Sequence, residues 1–223
     1  MRFLCLHGWG TNSQVFETQT AAIRFELGDD HTYEFVEGHI PSEAFPGMRE
    51  VTSSTDEFFS FADINDFDSC LRALDLLDAY IKAEGLFDGV IAFSQGAIIA
   101  ASYLCRWRTL QQGTNGKELS AAQPFKCASF FSAPAAYSWN SLRDGRLRAL
   151  SRDEDGELIQ IPTAHIWGRD DDTIDATSVS GLCATDTAET FMHEGGHEIP
   201  GVRMNTAVKS SVRAMRRVIA MAG

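Results

Sequence analysis

The stretch that most constrains this chain is Asp88-Gly89-Val90-Ile91-Ala92-Phe93-Ser94-Gln95-Gly96-Ala97-Ile98-Ile99-Ala100. Val90 to Phe93 is a short apolar run of the length a buried parallel strand needs. From Ile98 the pattern reads as a helix packed on a sheet. One serine lies between them, with Ala92 two residues before and Gly96 two after. That spacing suits a strained strand-to-helix turn that exposes the Ser94 hydroxyl. The flanking positions must be small because strand and helix backbones pass close together there. The helix then directs its first N–H groups and the positive end of its dipole toward the serine. An ordinary strand-to-helix turn fits the same letters, so the rest of the chain must supply the partners.

Other segments alternate between strand-like and helix-like patterns. Phe3–Leu6 is an apolar run ending in the glycine-rich His7-Gly8-Trp9-Gly10. Thr11 or Asn12 is placed to cap a helix running to about Leu27. Thr32–Val36 reads as a strand, and Asn65 or Asp66 caps a helix to about Glu84 whose inward face is Phe67, Leu71, Leu74, Leu77 and Ile81. Phe125–Phe131, Ile161–Gly168 and Thr187–Met192 read as further strands, and Val202–Ala222 as an amphipathic helix. The alternation predicts a doubly wound, mostly parallel sheet. The 223 residues suit one domain spanning 1–223.

Two segments interrupt that alternation. Residues 38–65 lose all periodicity at Pro41, Pro46 and Gly47, yet carry Phe45, Met48, Phe58, Phe59 and Phe61. A long irregular segment with aromatics is expected to form a lid or a pocket wall, although its rings could equally pack onto the surface beneath. Residues 135–160, with Trp139, are expected to form a helical insertion over the site. Arg143, Arg146, Arg148 and Arg152 fit a solvated face there, with a local anion-docking patch as the alternative.

The formal charge of −12 argues against nucleic acid and anionic membranes as partners. No apolar stretch reaches transmembrane length, so no membrane insertion is expected. Five scattered cysteines, mostly in apolar runs, read as reduced core thiols in a cytoplasmic protein. The chain also opens directly into a strand-like run, without a secretory signal pattern.

A serine after one strand, aspartates after a later strand and histidines after the last follow the order Ser…Asp…His. This is the order of the α/β-hydrolase fold, whose sites gather at the C-terminal ends of parallel strands. In that fold the loop after an early strand supplies an oxyanion donor, which makes the backbone N–H groups of Trp9 and Gln95 the candidates. The residues alone leave the acid open among Asp170, Asp171 and Asp172, and the histidine open between His193 and His197. Three consecutive carboxylates could also bind a divalent cation, but no further ligands lie at a sensible spacing, so no metal is expected.

Four stretches together resemble the fungal serine hydrolases of the FSH group, small α/β hydrolases that include trans-acting thioesterases of fungal polyketide pathways. They are Leu4-Cys5-Leu6-His7-Gly8, Phe87 to Ala97, Pro162 to Asp171, and His193-Glu194-Gly195-Gly196-His197-Glu198-Ile199-Pro200. The resemblance implies Ser94 as nucleophile, His197 as base and Asp171, third after Gly168, as acid. It implies no cofactor. Ala92 replaces the group's usual glycine before the serine, and Ala133 stands where a glycine is common near the end of the preceding strand. The activity expected is cleavage of an acyl ester or thioester. Foremost is release of a polyketide or fatty acyl chain from an acyl carrier protein, with a stand-alone carboxylesterase for small soluble esters as the alternative. Phe45, Phe58, Phe59 and Trp139 are the expected pocket residues.

Overall fold

The computed structural model describes residues 1–53, 55–113, 123–172 and 177–223. Its strands are β1 (Arg2–Leu6), β2 (Thr32–Val36), β3 (Ile40–Ser42), β4 (Phe58–Ser60), β5 (Gly89–Phe93), β6 (Cys127–Phe131), β7 (Thr163–Gly168) and β8 (Ala188–His193). Its helices are α1 (Ser13–Gln19), α2 (Ala21–Leu27), α3 (Met48–Val51), α4 (Phe67–Glu84), α5 (Gln95–Gly113), α6 (Trp139–Arg143), α7 (Arg152–Asp155), α8 (Thr177–Gly181) and α9 (Asn205–Ala222), the last preceded by a 3₁₀ turn at Val202–Met204. Six strands form one sheet in the order β2-β1-β5-β6-β7-β8, and every pairing is parallel.

The sheet is covered on both faces, and the period-two alternation of its strands shows how. Phe3, Cys5, Ile91, Phe93 and Phe131 turn to one face, where Phe16 and Ile23 from α1 and α2 and Val208, Val212 and Met215 from α9 cover them. Leu4, Leu6, Val90, Ala92 and Phe130 turn to the other, under Leu74 and Leu77 of α4 and Ile99 of α5. A strand buried on both sides has no polar face, which is why β5 reads as an unbroken apolar run. All five cysteines are buried and unpaired. Burial pushes the Cys70 thiol up to about 11 and the Cys127 and Cys183 thiols up to about 12. Among the described residues, no helix is long and apolar enough to cross a membrane.

Local signals placed several boundaries. Asn12 caps α1 by accepting from Val15 N–H at 2.7 Å, and Asp66 caps α4 by accepting from Asp68 N–H at 3.0 Å. The helix expected to run unbroken to Leu27 is instead two, divided at Thr20. The Thr20 hydroxyl donates to Phe16 O at 2.8 Å, so a side chain serves the end of α1 and the axis turns.

Two larger expectations are corrected. Residues 38–65 are not irregular throughout: β3 and β4 pair antiparallel, Ile40 with Ser60 and Ser42 with Phe58, and α3 lies between them. The insertion at 135–160 is helical only at the short α6 and α7; the remainder folds back on itself through a bridge between Tyr137 and Ala149. Its arginines are held by local partners. Arg148 contacts both oxygens of Asp155 at 2.7 and 2.9 Å, Arg152 pairs with Glu157 at 2.6 Å, Arg146 pairs with Asp144 at 3.3 Å, and Arg143 lies over the Trp139 ring. The polar, glycine-containing stretch from Gln111 to Pro124 reads as a surface connection, and the residues after Asp172 as helical to Leu182; most of the first and the start of the second lie outside the described residues.

His165, on β7, is almost fully buried, and its ring contacts Thr163 Oγ1 at 3.1 Å while Nδ1 has no hydrogen-bond partner. Burial lowers its pKa from 6.5 to about 4. Between those values the unfolded chain takes up a proton that the folded chain refuses. Stability from this group is therefore complete above the unfolded value and falls as the pH drops toward the folded one. Wild type should lose about 2 kcal/mol more unfolding free energy between pH 7.5 and pH 5 than a His165→Leu variant. Denaturant titrations at the two pH values measure the difference; equal losses would contradict it.

Candidate active site

The connection between β5 and α5 has one residue, Ser94, and it takes the left-handed conformation with φ 51°. A non-glycine residue is strained there, so its surroundings must hold it in place. Ser94 N–H donates to Phe131 O at 3.0 Å, and Ser94 O accepts from Ala97 N–H at 2.9 Å and Ile98 N–H at 3.1 Å. Gly96 N–H donates to His7 O at 3.0 Å. A Cβ on Gly96 would stand 2.4 Å from Leu6 O and 2.6 Å from His7 O, which is why only glycine fits. Ala92 is fully buried within β5, so a methyl group is accommodated where the resemblance has glycine.

The Ser94 hydroxyl lies 2.9 Å from His197 Nε2. The opposite ring nitrogen, Nδ1, lies 3.1 Å from each carboxylate oxygen of Asp171. The Asp171 side chain is fully buried, and that of His197 nearly so. With Nδ1–H donating to the carboxylate, Nε2 is left to accept from the serine, the tautomer this network assigns. Asp170 and Asp172 are exposed neighbours of Asp171, so the structure brings only one of the three aspartates to the histidine.

The loops carrying His197 and Asp171 are fastened to each other. Arg169 N–H donates to His193 O at 2.7 Å, and Asp170 N–H donates to Gly195 O at 3.0 Å. Gly168 lets them approach: a Cβ there would meet Gly195 O at 2.1 Å and Gly196 O at 2.2 Å. The other candidate histidine, His193, is buried beneath this loop, and its Nδ1 accepts from Gly195 N–H at 3.1 Å. Burial lowers its pKa against the opposing pull of Glu198 and Asp171, consistent with a neutral ring that accepts.

The loop after β1 is braced in the same manner. His7 is fully buried, its Nδ1–H donates to Gly8 O at 2.7 Å, and its Nε2 accepts from Gly38 N–H at 2.9 Å. Thr11 Oγ1 also donates to Gly8 O, at 2.8 Å. A trans peptide sets its C=O and N–H in opposite directions. With Gly8 O held inward by two donors, the Trp9 N–H is directed away from that interior bond. Gln95 is the first residue of α5, so its N–H is one of those a helix cannot bond internally. Glu37 flanks His7 at 3.0 Å; burial opposes its charge, but the neighbouring His7 ring and the bonds from Ser13 N–H and Oγ hold its pKa below the usual range.

Ser94, His197, Trp9 and Gln95 all border one cleft of about 780 Å³. Of the aromatic residues expected along it, Phe45 is present, its ring 5.9 Å from that of His197. Phe58, Phe59 and Trp139 do not line it. Phe58 is buried in β4 under Arg49, Phe59 uses its backbone to hold Gly10 and Thr11, and Trp139 packs against the guanidinium groups of Arg106 and Arg143. The walls are instead Ala62 and Ile64 from the end of the 38–65 segment, Ile98 from α5, and Pro134, Ala135 and one further aromatic, Tyr137, after β6. The sequence signal for these was weak, because proline, alanine and a lone isoleucine mark no face on their own. Among the described residues, no group of His, Cys, Asp and Glu could hold a metal ion.

Comparison with known proteins shows the family and the fold. The model of the family described as "Serine hydrolase (FSH1)" matches residues 1–208. Esterase FPY3 of Fusarium mangiferae is 38% identical over 226 residues, covering 100% of this chain and 98% of that one. Esterase alnB of Emericella nidulans is 29% identical over 273 residues, covering 89% and 90%. Among solved structures, SOBER1 of Arabidopsis thaliana is similar with a TM-score of 0.57 at 14% identity, over 98% of this chain and 99% of that one. The Bacillus cereus carboxylesterase is similar with a TM-score of 0.53 at 15% identity, over 95% and 87%. The fold is that of the α/β hydrolases.

The contact at Gly168 yields a test of how tightly the histidine loop is placed. In Gly168→Ala the added methyl must push the backbone at Gly195 and Gly196, and His197 with it. We expect kcat/KM for p-nitrophenyl acetate to fall by about 10²-fold, the cost of misplacing a reacting group by about 1 Å. Unchanged kinetics in a folded variant would show that the loop relaxes freely.

Proposed function

Since the chain belongs to the serine hydrolase (FSH1) family and is an ester-hydrolysing enzyme, we propose that Ser94, His197 and Asp171 form its catalytic triad. The observation that carries this reading is the unbroken line from the Ser94 hydroxyl through both ring nitrogens of His197 to the buried Asp171 carboxylate. His197 Nε2 takes the hydroxyl proton as Ser94 Oγ attacks the acyl carbonyl carbon. Asp171 orients the imidazole and stabilises its cation. The negative charge on the former carbonyl oxygen is met by the N–H groups of Trp9 and Gln95. The leaving alcohol or thiol departs with the proton from His197, and His197 then activates water to hydrolyse the acyl-enzyme. The strained Ser94 backbone and the start of α5 hold these donors in position before substrate arrives.

The substrate we propose is an ester or thioester of a sizeable, mainly apolar acyl group of the polyketide or fatty type. A cleft of about 780 Å³ is in the range that accommodates such molecules, and far exceeds what an acetyl group fills. The resemblance to trans-acting thioesterases favours delivery as a thioester on an acyl carrier protein. A specific observation favours a soluble ester: Arg146, Arg148 and Arg152 are engaged by their own acidic neighbours and Arg143 lies over the Trp139 ring, which weakens the insertion as a docking face for an acidic carrier. We read residues 1–223 as one catalytic unit, and the five buried thiols suit a reducing cytoplasm.

The triad is tested by substitution and by a fluorophosphonate probe. Ser94→Ala should abolish labelling and turnover, and His197→Ala should be as severe, since the two act together. Asp171→Asn should reduce kcat by several orders of magnitude, while Asp170→Asn and Asp172→Asn change it by less than about tenfold. A severe loss at Asp172 with a mild one at Asp171 would assign the acid differently.

The acyl reading is tested by kcat/KM across thioesters from acetyl to decanoyl. Each buried methylene adds about 0.8 kcal/mol, so two should raise kcat/KM by about tenfold in a dry, preformed cleft. A series that is flat or falls beyond butyryl would support the small-ester alternative.

A further inference from the structure

We infer that the Gln95 carboxamide is a positioning residue that makes turnover depend on acyl chain length; the inference rests on the acyl-cleft reading above. Gln95 is buried, and both ends of its side chain are engaged. Its Oε1 accepts from Phe61 N–H at 2.7 Å, and its Nε2 donates to Ala62 O at 2.8 Å. Phe61 and Ala62 follow directly on β4, which ends at Ser60. The carboxamide offers a C=O acceptor and an N–H donor, like a peptide group, and continues the bonding of the β4 backbone past Ser60, whose partner Ile40 is the first residue of β3. The N–H and C=O it satisfies belong to buried residues, so a side chain without both functions would leave them unpaired.

The bonded segment is a wall of the cleft: Ser60, Ala62 and Ile64 line it together with Ser94. Its earlier end is tied to the other side of the site. Phe59 N–H donates to Thr11 O at 2.8 Å, and Gly10 N–H donates to Phe59 O at 3.1 Å. Phe45 N–H donates to Gly10 O at 2.8 Å. The segment therefore joins the loop carrying Trp9 to the first residue of α5, the two places that supply the proposed oxyanion donors. An acyl chain seated against Ala62 and Ile64 bears on a wall whose position sets the Gln95 side chain, and through it the turn presenting the Gln95 N–H. This coupling requires that an acetyl group stop short of that wall, which the chain-length series below tests. In this arrangement binding energy from the remote acyl carbons aligns the carbonyl and its donors, raising kcat as well as lowering KM.

The experiment measures kcat and KM for acetyl to decanoyl thioesters on wild type, Gln95→Met and Gln95→Glu. Gln95→Met keeps the length of the side chain and removes both bonds. Decanoyl kcat should fall on the order of tenfold more than acetyl kcat. Equal losses at every chain length, or no loss, would overturn the inference. Gln95→Glu supplies a readout that a purely structural role would not move. When ionised, the introduced carboxylate opposes Ala62 O; when protonated, it restores both donor and acceptor. The decanoyl-to-acetyl ratio of this variant should climb toward the wild-type ratio as the pH falls from about 8 to about 6, since burial favours the neutral acid. The ratio removes any pH effect that the two substrates share. A ratio independent of pH would overturn the inference even if Gln95→Met fails to fold. A flat wild-type series would remove the acyl-cleft reading and this inference together, whereas a rising wild-type series paralleled by the variants would remove the inference alone.

Discussion

The structure depends on a strand and a helix joined by a single residue. With only Ser94 between β5 and α5, the chain must reverse within one peptide, and the left-handed backbone of Ser94 is the result. Everything nearby accommodates that turn. Phe131 on β6 accepts the Ser94 N–H, His7 after β1 accepts the Gly96 N–H, and Gly96 has no room for a side chain against β1. The two strands that flank β5 in the sheet thus hold the turn from both sides. Strain at one residue is stable because neighbouring strands over-determine its position.

The same logic extends to the loops around the cleft. Each functional segment leaves a strand at its C-terminal end and is fastened to its neighbour by backbone bonds and close glycine contacts. Gly168 meets the Gly195-Gly196 backbone on one side, and His7 and Thr11 fix the Gly8 carbonyl on the other. Of the two roles expected for residues 38–65, lid or pocket wall, β4 and the residues after it take the second, because they are tied to Gly10, Thr11 and Gln95. Phe58 and Phe59 are needed to hold that wall in place, which is why they do not face the cleft it borders.

The insertion after β6 shows how sequence charge can mislead. Four arginines between Arg143 and Arg152 look like a cationic face when read along the chain. In space, Asp144, Asp155 and Glu157 return to meet three of them, and Trp139 lies beneath the fourth. Exposed pairs of this kind contribute little stability, but they neutralise the surface. The insertion still shapes the cleft, through Tyr137 and Ala149 rather than through the larger Trp139.

Sequence alone determined what depends on local pattern and on order along the chain. The apolar runs of β5, β6 and β7, the caps to within one residue at Thr11–Asn12 and Asn65–Asp66, the small residues around Ser94 and the succession of serine, aspartate and histidine were all readable, because period, capping and spacing are properties of neighbouring residues. The resemblance singled out Asp171 and His197 from their neighbours; the residues themselves did not. Only the tertiary structure decided which groups meet across long separations. That His197 lies 2.9 Å from a serine 103 residues away, and that the Gln95 side chain bonds a backbone more than thirty residues upstream, depends on sheet order and loop closure. It also decided which aromatics face the cleft. Burial of Phe58 and Trp139 is set by partners such as Arg49 and Arg106, and no local pattern in the chain records those partners.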